Sequence, residues 1–173
     1  MAKKGEQMRR YYSIILIGLS IVGYFFYFSN RYVIGVPTEH SKCLEARYFI
    51  IDTWDKNVKE GDLVSFYMNV DNHFYPEGLP WVKKVAAGPN STVKVTPKYV
   101  QREGAAAIPL DMEYMLRVLL MDNPIGTPAD YTKTHELGSD DYFVVGETLN
   151  SYDSRFWGPI SKDDIRGKAY AIF

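Results

Sequence analysis

The stretch from Tyr11 to Ser29, YYSIILIGLSIVGYFFYFS, carries no charged residue over 19 positions, and nothing else limits the fold of this chain so strongly. As a helix rising about 1.5 Å per residue it spans roughly 28 Å, close to the hydrocarbon thickness of a bilayer. A cleaved export signal has a shorter apolar region followed by a small-residue cleavage site. This run ends instead in bulky aromatics, Tyr24 to Phe28, which suit a membrane interface. The sequence therefore predicts a retained transmembrane helix over residues 11–29. Lys3, Lys4, Arg9 and Arg10 precede it, whereas Arg31 is the only basic residue in the ten that follow. That asymmetry places residues 1–10 in the cytoplasm and residues 30–173 on the far side of the membrane. In a Gram-negative cell this means a single-pass protein of the inner membrane with a periplasmic domain.

About 140 residues lie beyond the anchor, enough for one domain with a real core. Net charge is −1, of which the first ten residues hold +3, so nothing points to a nucleic-acid partner. Aromatic residues make up 15% of the chain and favour strands. Gly61 to Val70 shows the alternation directly: Val64, Phe66, Met68 and Val70 form one apolar set, and Leu63, Ser65, Tyr67 and Asn69 the other. That is the pattern of a half-buried strand. Further strand candidates are Arg47–Asp52, Trp81–Ala87, Thr92–Val95 and Lys98–Val100. Residues 111–121 carry apolar side chains at helical spacing, with Asp111 as N-cap. Pro124, Gly126 and Pro128 then break the pattern, and residues 122–138 read as an exposed loop. The expected fold class is mainly β: an antiparallel coiled sheet, one small helix, and the N-terminal anchor.

Two segments carry chemistry. Trp81 to Pro89 reads WVKKVAAGP and follows Gly61-Asp62-Leu63-Val64 by about twenty residues; Tyr142 to Ile160 reads YFVVGETLNSYDSRFWGPI. Together they resemble the boxes of the type I signal peptidase family. There, a Gly-Asp-x-Val strand leads to a lysine-bearing strand, and a Ser-x-Asp-Ser-Arg-x-Trp-Gly segment closes the domain. The compact size and short connections look most like the branch that matures pilins in conjugative transfer. The resemblance implies a membrane-bound peptidase that removes signal peptides from translocated preproteins, cutting after small residues, with no cofactor.

A lysine acts as a general base only when neutral, and burial favours that form. In an extended strand Trp81, Lys83, Val85 and Ala87 share one face, which surrounds Lys83 with apolar neighbours and turns Lys84 the other way. The resemblance also puts the base at Lys83. By the same resemblance Ser151 helps position the lysine, and Asp153 with Arg155 forms an ion pair bracing the loop. Gly146-Glu147-Thr148 departs from the family's Gly-Asp-Asn.

The nucleophile is not settled by the sequence. The family's serine box closely follows the anchor, but here the corresponding stretch is Thr38 to Phe49, without its proline or glycine. One register makes Ser41 the nucleophile. The other puts Cys43, the only cysteine, at the serine position, with Phe49 six residues on and Ser41 two before it. A thiol ionises more easily than a hydroxyl and is competent for the role. His40, His73 and His135 show no metal-ligand spacing. Two functions stay open. One is an active Ser/Cys–Lys endopeptidase acting on a signal peptide or propilin. The alternative is an inactive relative serving a transfer or secretion apparatus. Apolar residues next to the anchor, Tyr32, Val33 and Ile34, are expected to meet membrane lipid.

Overall fold

The computed structural model describes residues 2–36, 43–70, 75–122 and 128–172. It separates into two compact units, Met1–Val33 and Ile34–Phe173. The first is essentially one helix, α1 (Ala2–Arg31), longer than the apolar run because the basic flank is helical too. Within it Gln7–Arg31 is long and apolar enough to cross a membrane. The side chains of residues 7–30 are exposed, Ile14, Leu16, Phe25 and Phe26 among them. An apolar helix of this kind fits a membrane-anchored protein.

The rest of the chain is mainly β. In chain order its strands are β1 (Tyr32–Gly35), β2 (Tyr48–Asp52), β3 (Leu63–Tyr67), β4 (Pro80–Ala87), β5 (Thr92–Val95), β6 (Tyr99–Arg102), β7 (Ile108–Pro109), β8 (Lys133–Glu136), β9 (Asp141–Val145), β10 (Ile160–Ser161) and β11 (Ile165–Ile172). Two helices interrupt them, α2 (Glu113–Asp122) and α3 (Ser154–Trp157). A seven-stranded sheet runs β1-β2-β11-β3-β4-β9-β10, and a four-stranded sheet runs β7-β6-β5-β8. The pairings from β2 to β10, and all those of the smaller sheet, are antiparallel. The smaller sheet is thus an insertion between β4 and β9.

The alternation in β3 decides which face is buried. Val64, Phe66 and Met68 sit in a core cluster with Val85, Val144, Ile160 and Ile165. A second cluster lies under the insertion, where Val93, Val95 and Val100 meet Met112, Leu116 and Phe143. Ser65 differs from the expectation for a half-buried strand: it lies on the other face of β3 and is nevertheless only 1% exposed. The helix over 111–121 begins two residues late, at Glu113, with Asp111 Oδ1 accepting from the Glu113 N–H at 2.7 Å.

The expected loop over 122–138 is a loop only in part. Lys133–Glu136 pairs with β5 as strand β8, although Lys-Thr-His-Glu carries no apolar alternation. Backbone pairing alone makes this edge strand, and such a strand leaves no periodic signal. His135 therefore stands on a strand, its ring 5.3 Å from that of Phe143.

Close backbone approach fixes Gly167. A side chain at Gly167 on β11 would drive its first carbon into the Asp52 carbonyl and, at 2.8 Å, into the Thr53 Cα. Backbone atoms cannot yield as a flexible side chain can. We expect Gly167→Ala to cost about 3 kcal/mol. Gly88→Ala, whose added carbon would first meet Tyr142 at 4.0 Å, should cost less than about 0.5 kcal/mol. Urea unfolding of the full chain in detergent, followed by tryptophan fluorescence, measures both.

Candidate active site

The site is built where β4, β9 and the Ser151–Arg155 turn meet. Lys83 stands on β4 between Trp81 and Val85, and alternation turns its side chain inward, so that only 1% is exposed. Its Nζ lies 5.1 Å from the centroid of the Trp81 ring. Lys84 faces the opposite way and makes an exposed ion pair with Glu147 at 3.2 Å. The amine of Lys83 donates to Ser151 Oγ at 2.8 Å. Ser151 in turn donates its proton to Asp153 Oδ2 at 2.7 Å. The hydroxyl is thereby held as an acceptor towards the lysine.

Asp153 is fully buried, and every contact around it serves that orientation. Its Oδ2 also accepts from the Gly146 N–H at 2.8 Å and from Arg155 Nη2 at 2.8 Å. Its Oδ1 accepts from Arg155 Nε at 2.7 Å, which makes the pair bidentate. Burial by itself raises the carboxyl's pKa most. The Arg155 guanidinium, with Lys83 and the Ser151 hydroxyl, outweighs that and holds it below the ordinary carboxylate range. Asp153 also caps α3, accepting from the Arg155 backbone N–H. Arg155 Nη2 reaches on to the Ser151 carbonyl at 3.2 Å.

Gly146 closes this knot. A side chain there would overlap Ser151 Oγ and lie 2.7 Å from the Cys43 carbonyl oxygen. That carbonyl accepts from the Glu147 N–H at 2.7 Å, which pins Cys43 beside the Ser151 loop. Cys43 and Lys83 line one cleft of about 590 Å³, with Ser65, Tyr75, Trp81 and Tyr152 also on its walls. The Cys43 thiol is partly buried. Burial, then proximity to Cys43, pushes the Tyr75 phenol up. Burial, then Tyr131 and Tyr75, pushes Tyr152 up to about 12, so it remains a neutral wall at physiological pH.

The structure thus gathers Cys43, Lys83, Ser151, Asp153 and Arg155 at one place. Ser41 lies outside the described residues, as do His40 and His73. His135 stands on β8, and burial pushes its pKa below the ordinary histidine value. Among the described residues no three histidine, cysteine, aspartate or glutamate side chains converge to hold a metal ion. Sequence reasoning did not assign a role to Tyr75, Tyr152 or Ser65. The first two carried no pattern, and Ser65 stood on the strand face expected to be solvated.

Comparison with known proteins now adds to this geometry. The family model of signal peptidase, peptidase S26, matches residues 7–173. The chain belongs to that family. A signal peptidase I of Leptolyngbya laminosa is 31% identical over 121 residues, which cover 66% of this chain and 52% of that protein. The chain therefore spans about half the length of this curated relative. A solved signal peptidase I from Enterococcus faecalis V583 aligns with a TM-score of 0.38 and 20% identity, over 66% of this chain and 97% of that one.

The buried carboxylate makes the knot sensitive to its partner and to acid. Arg155→Met strands a buried charge and should cost about 3–5 kcal/mol. A carboxyl held below its ordinary 3.8 contributes stability that is complete above that value and is lost as pH falls through the folded value. Urea midpoints of the wild type should accordingly drop as pH falls below about 4, and Asp153→Asn, weaker at pH 7, should drop less. Equal acid sensitivity in both proteins would remove Asp153 from this role.

Proposed function

We propose that this chain is a membrane-anchored signal peptidase that cleaves preproteins with a cysteine–lysine dyad, Cys43 as nucleophile and Lys83 as general base. The observation that carries the reading is the burial of Lys83 with its amine tethered to Ser151, beside a cleft that it shares with Cys43. A surface lysine would have favoured the inactive alternative. Family membership supports the reaction class, and the 31% relative is a signal peptidase I.

The hydrogen-bond chain explains how the base would be poised. Because the Ser151 proton is directed at Asp153, Ser151 can only accept from Lys83. A neutral amine that gives one N–H to Ser151 keeps its lone pair free for the thiol. Lys83 then takes the Cys43 proton, and the thiolate attacks the scissile carbonyl carbon. The oxyanion is met by the Cys43 backbone N–H, aided by Ser41. Collapse breaks the C–N bond, the leaving amine takes its proton from Lys83, and a thioester remains on Cys43. Lys83 next deprotonates a water, which hydrolyses the thioester to a carboxylate and restores the thiol.

In this reading the basic N-terminus stays in the cytoplasm, α1 crosses the inner membrane, and the β domain works on the periplasmic side. Exposed Ile34 and Val36 on the cleft's rim touch lipid, where an anchored preprotein would arrive. Pilin precursors are the substrates to try first, on the strength of the compact size and short connections.

Cleavage in membranes separates the assignments. Lys83→Ala and Cys43→Ala should each lower kcat/KM by at least about 10³-fold, and alkylation of Cys43 should block the wild type. Ser151→Ala should lower it by about 10²-fold through a misplaced amine. Full activity of Cys43→Ala together with loss in Ser41→Ala would move the nucleophile to Ser41. Retention in Lys83→Ala would sink the dyad.

A further inference from the structure

Ser65 is the residue that the fold leaves without an explanation. It lies on β3 and is only 1% exposed, yet among the described residues nothing hydrogen-bonds its Oγ. A buried hydroxyl without a partner destabilises the protein that carries it, whereas an alanine or valine at that position would not. The core contacts of β3 give no reason for it, since Val64 and Phe66 point to the other face and into the cluster with Val85.

The direction of the Ser65 side chain supplies the reason. In the antiparallel register Ser65 stands opposite Val82, the residue next to Lys83, and opposite Gly167 on its other flank. Opposed residues share a face, so Ser65 and Val82 lie together, and both line the cleft that holds Cys43 and Lys83. Phe49 and Ile51 of β2 line the same cleft and are apolar and almost fully buried. Among the strand residues that line the cleft, Lys83 and Arg166 bring charge, and Ser65 brings a hydroxyl with its bonding capacity unused. Gly167 contributes no side chain to satisfy it.

We propose that Ser65 is a specificity-determining residue, whose Oγ hydrogen-bonds a small hydroxyl-bearing side chain, serine or threonine, of the bound preprotein. The proposal rests on the peptidase reading above. An extended peptide in the cleft turns alternate side chains to one face at about 7 Å intervals. Ser65 shares the cleft with Cys43 and Lys83, which puts the residue it meets within about three positions of the scissile bond. An apolar floor without the hydroxyl would accept alanine or valine there equally well. A floor with it favours a side chain that pairs with Ser65 over one that leaves the hydroxyl unpaired.

The test is a panel of peptides carrying Ala, Val, Ser or Thr in turn at each of the three positions on either side of the cut. The full chain in detergent is assayed for kcat/KM, and the Cys43→Ala chain for equilibrium binding of the same peptides. At one position the wild type should prefer Ser or Thr over Ala by about tenfold. In Ser65→Val and Ser65→Ala that ratio should fall to about one, and because it is internal to each protein it tolerates a loss of stability. A ratio near one in the wild type, or a tenfold ratio kept in both variants, overturns the proposal and leaves the peptidase reading intact. Hydroxyl-dependent binding to the Cys43→Ala chain without cleavage of any peptide by the wild type would do the reverse.

Discussion

The buried pair of Asp153 and Arg155 is the interaction on which the rest of the site depends. A carboxylate at 0% exposure is costly unless its lone pairs are filled, and here five donors fill them: two guanidinium nitrogens and the backbone N–H of Arg155, the Gly146 N–H and the Ser151 hydroxyl. They come from three parts of the site. Through Gly146 the carboxylate fixes the end of β9, and through Ser151 it fixes the acceptor of Lys83. Through the Arg155 backbone it caps α3, where Ser154 Oγ accepts from the Val144 N–H at 3.0 Å. The two sides of the cleft are thus tied to one charge.

The same economy explains the glycines near the site. Gly146 is a glycine because Ser151 and the Cys43 carbonyl both need the space that a side chain would take. A backbone hydrogen bond from Glu147 then ties Cys43 to the end of β9. Replacement of the family's usual acidic and amide residues by Glu147 and Thr148 leaves this bond untouched, since it uses only the backbone. Glu147 spends its side chain elsewhere, on exposed Lys84.

How much of this was legible in the sequence varied with the kind of signal. Alternation announced β3 and β4 and turned Lys83 inward, because a strand with one buried face must show period two. The apolar run of α1 was legible from length alone. The antiparallel β class, read from aromatic content, alternation and resemblance, is the class observed. Strand β8 was not legible, since an edge strand held only by its neighbour's backbone imposes no pattern on its side chains. The partners of Asp153 were not legible beyond Arg155. Gly146 and Ser151 are close in the chain, but only folding shows that they share one oxygen. Ser65 was misjudged as solvated because period two tells which face a residue is on and not what covers that face.

That last point bears on how the cleft differs from a packed interior. On the inner face of β3, Val64 and Phe66 meet side chains that fill the space completely, and a hydroxyl there would be pure cost. On the opposite face Ser65 and Val82 lie together against the cleft, whose walls also carry Cys43, Tyr75 and Tyr152. A single strand therefore separates the protein's own core from the wall of the cleft. Position 65 lies on that second surface, where an unpaired donor is an unfavourable feature of the empty protein and a favourable one of the occupied cleft. The difference between those two states is what a binding site can turn into selectivity.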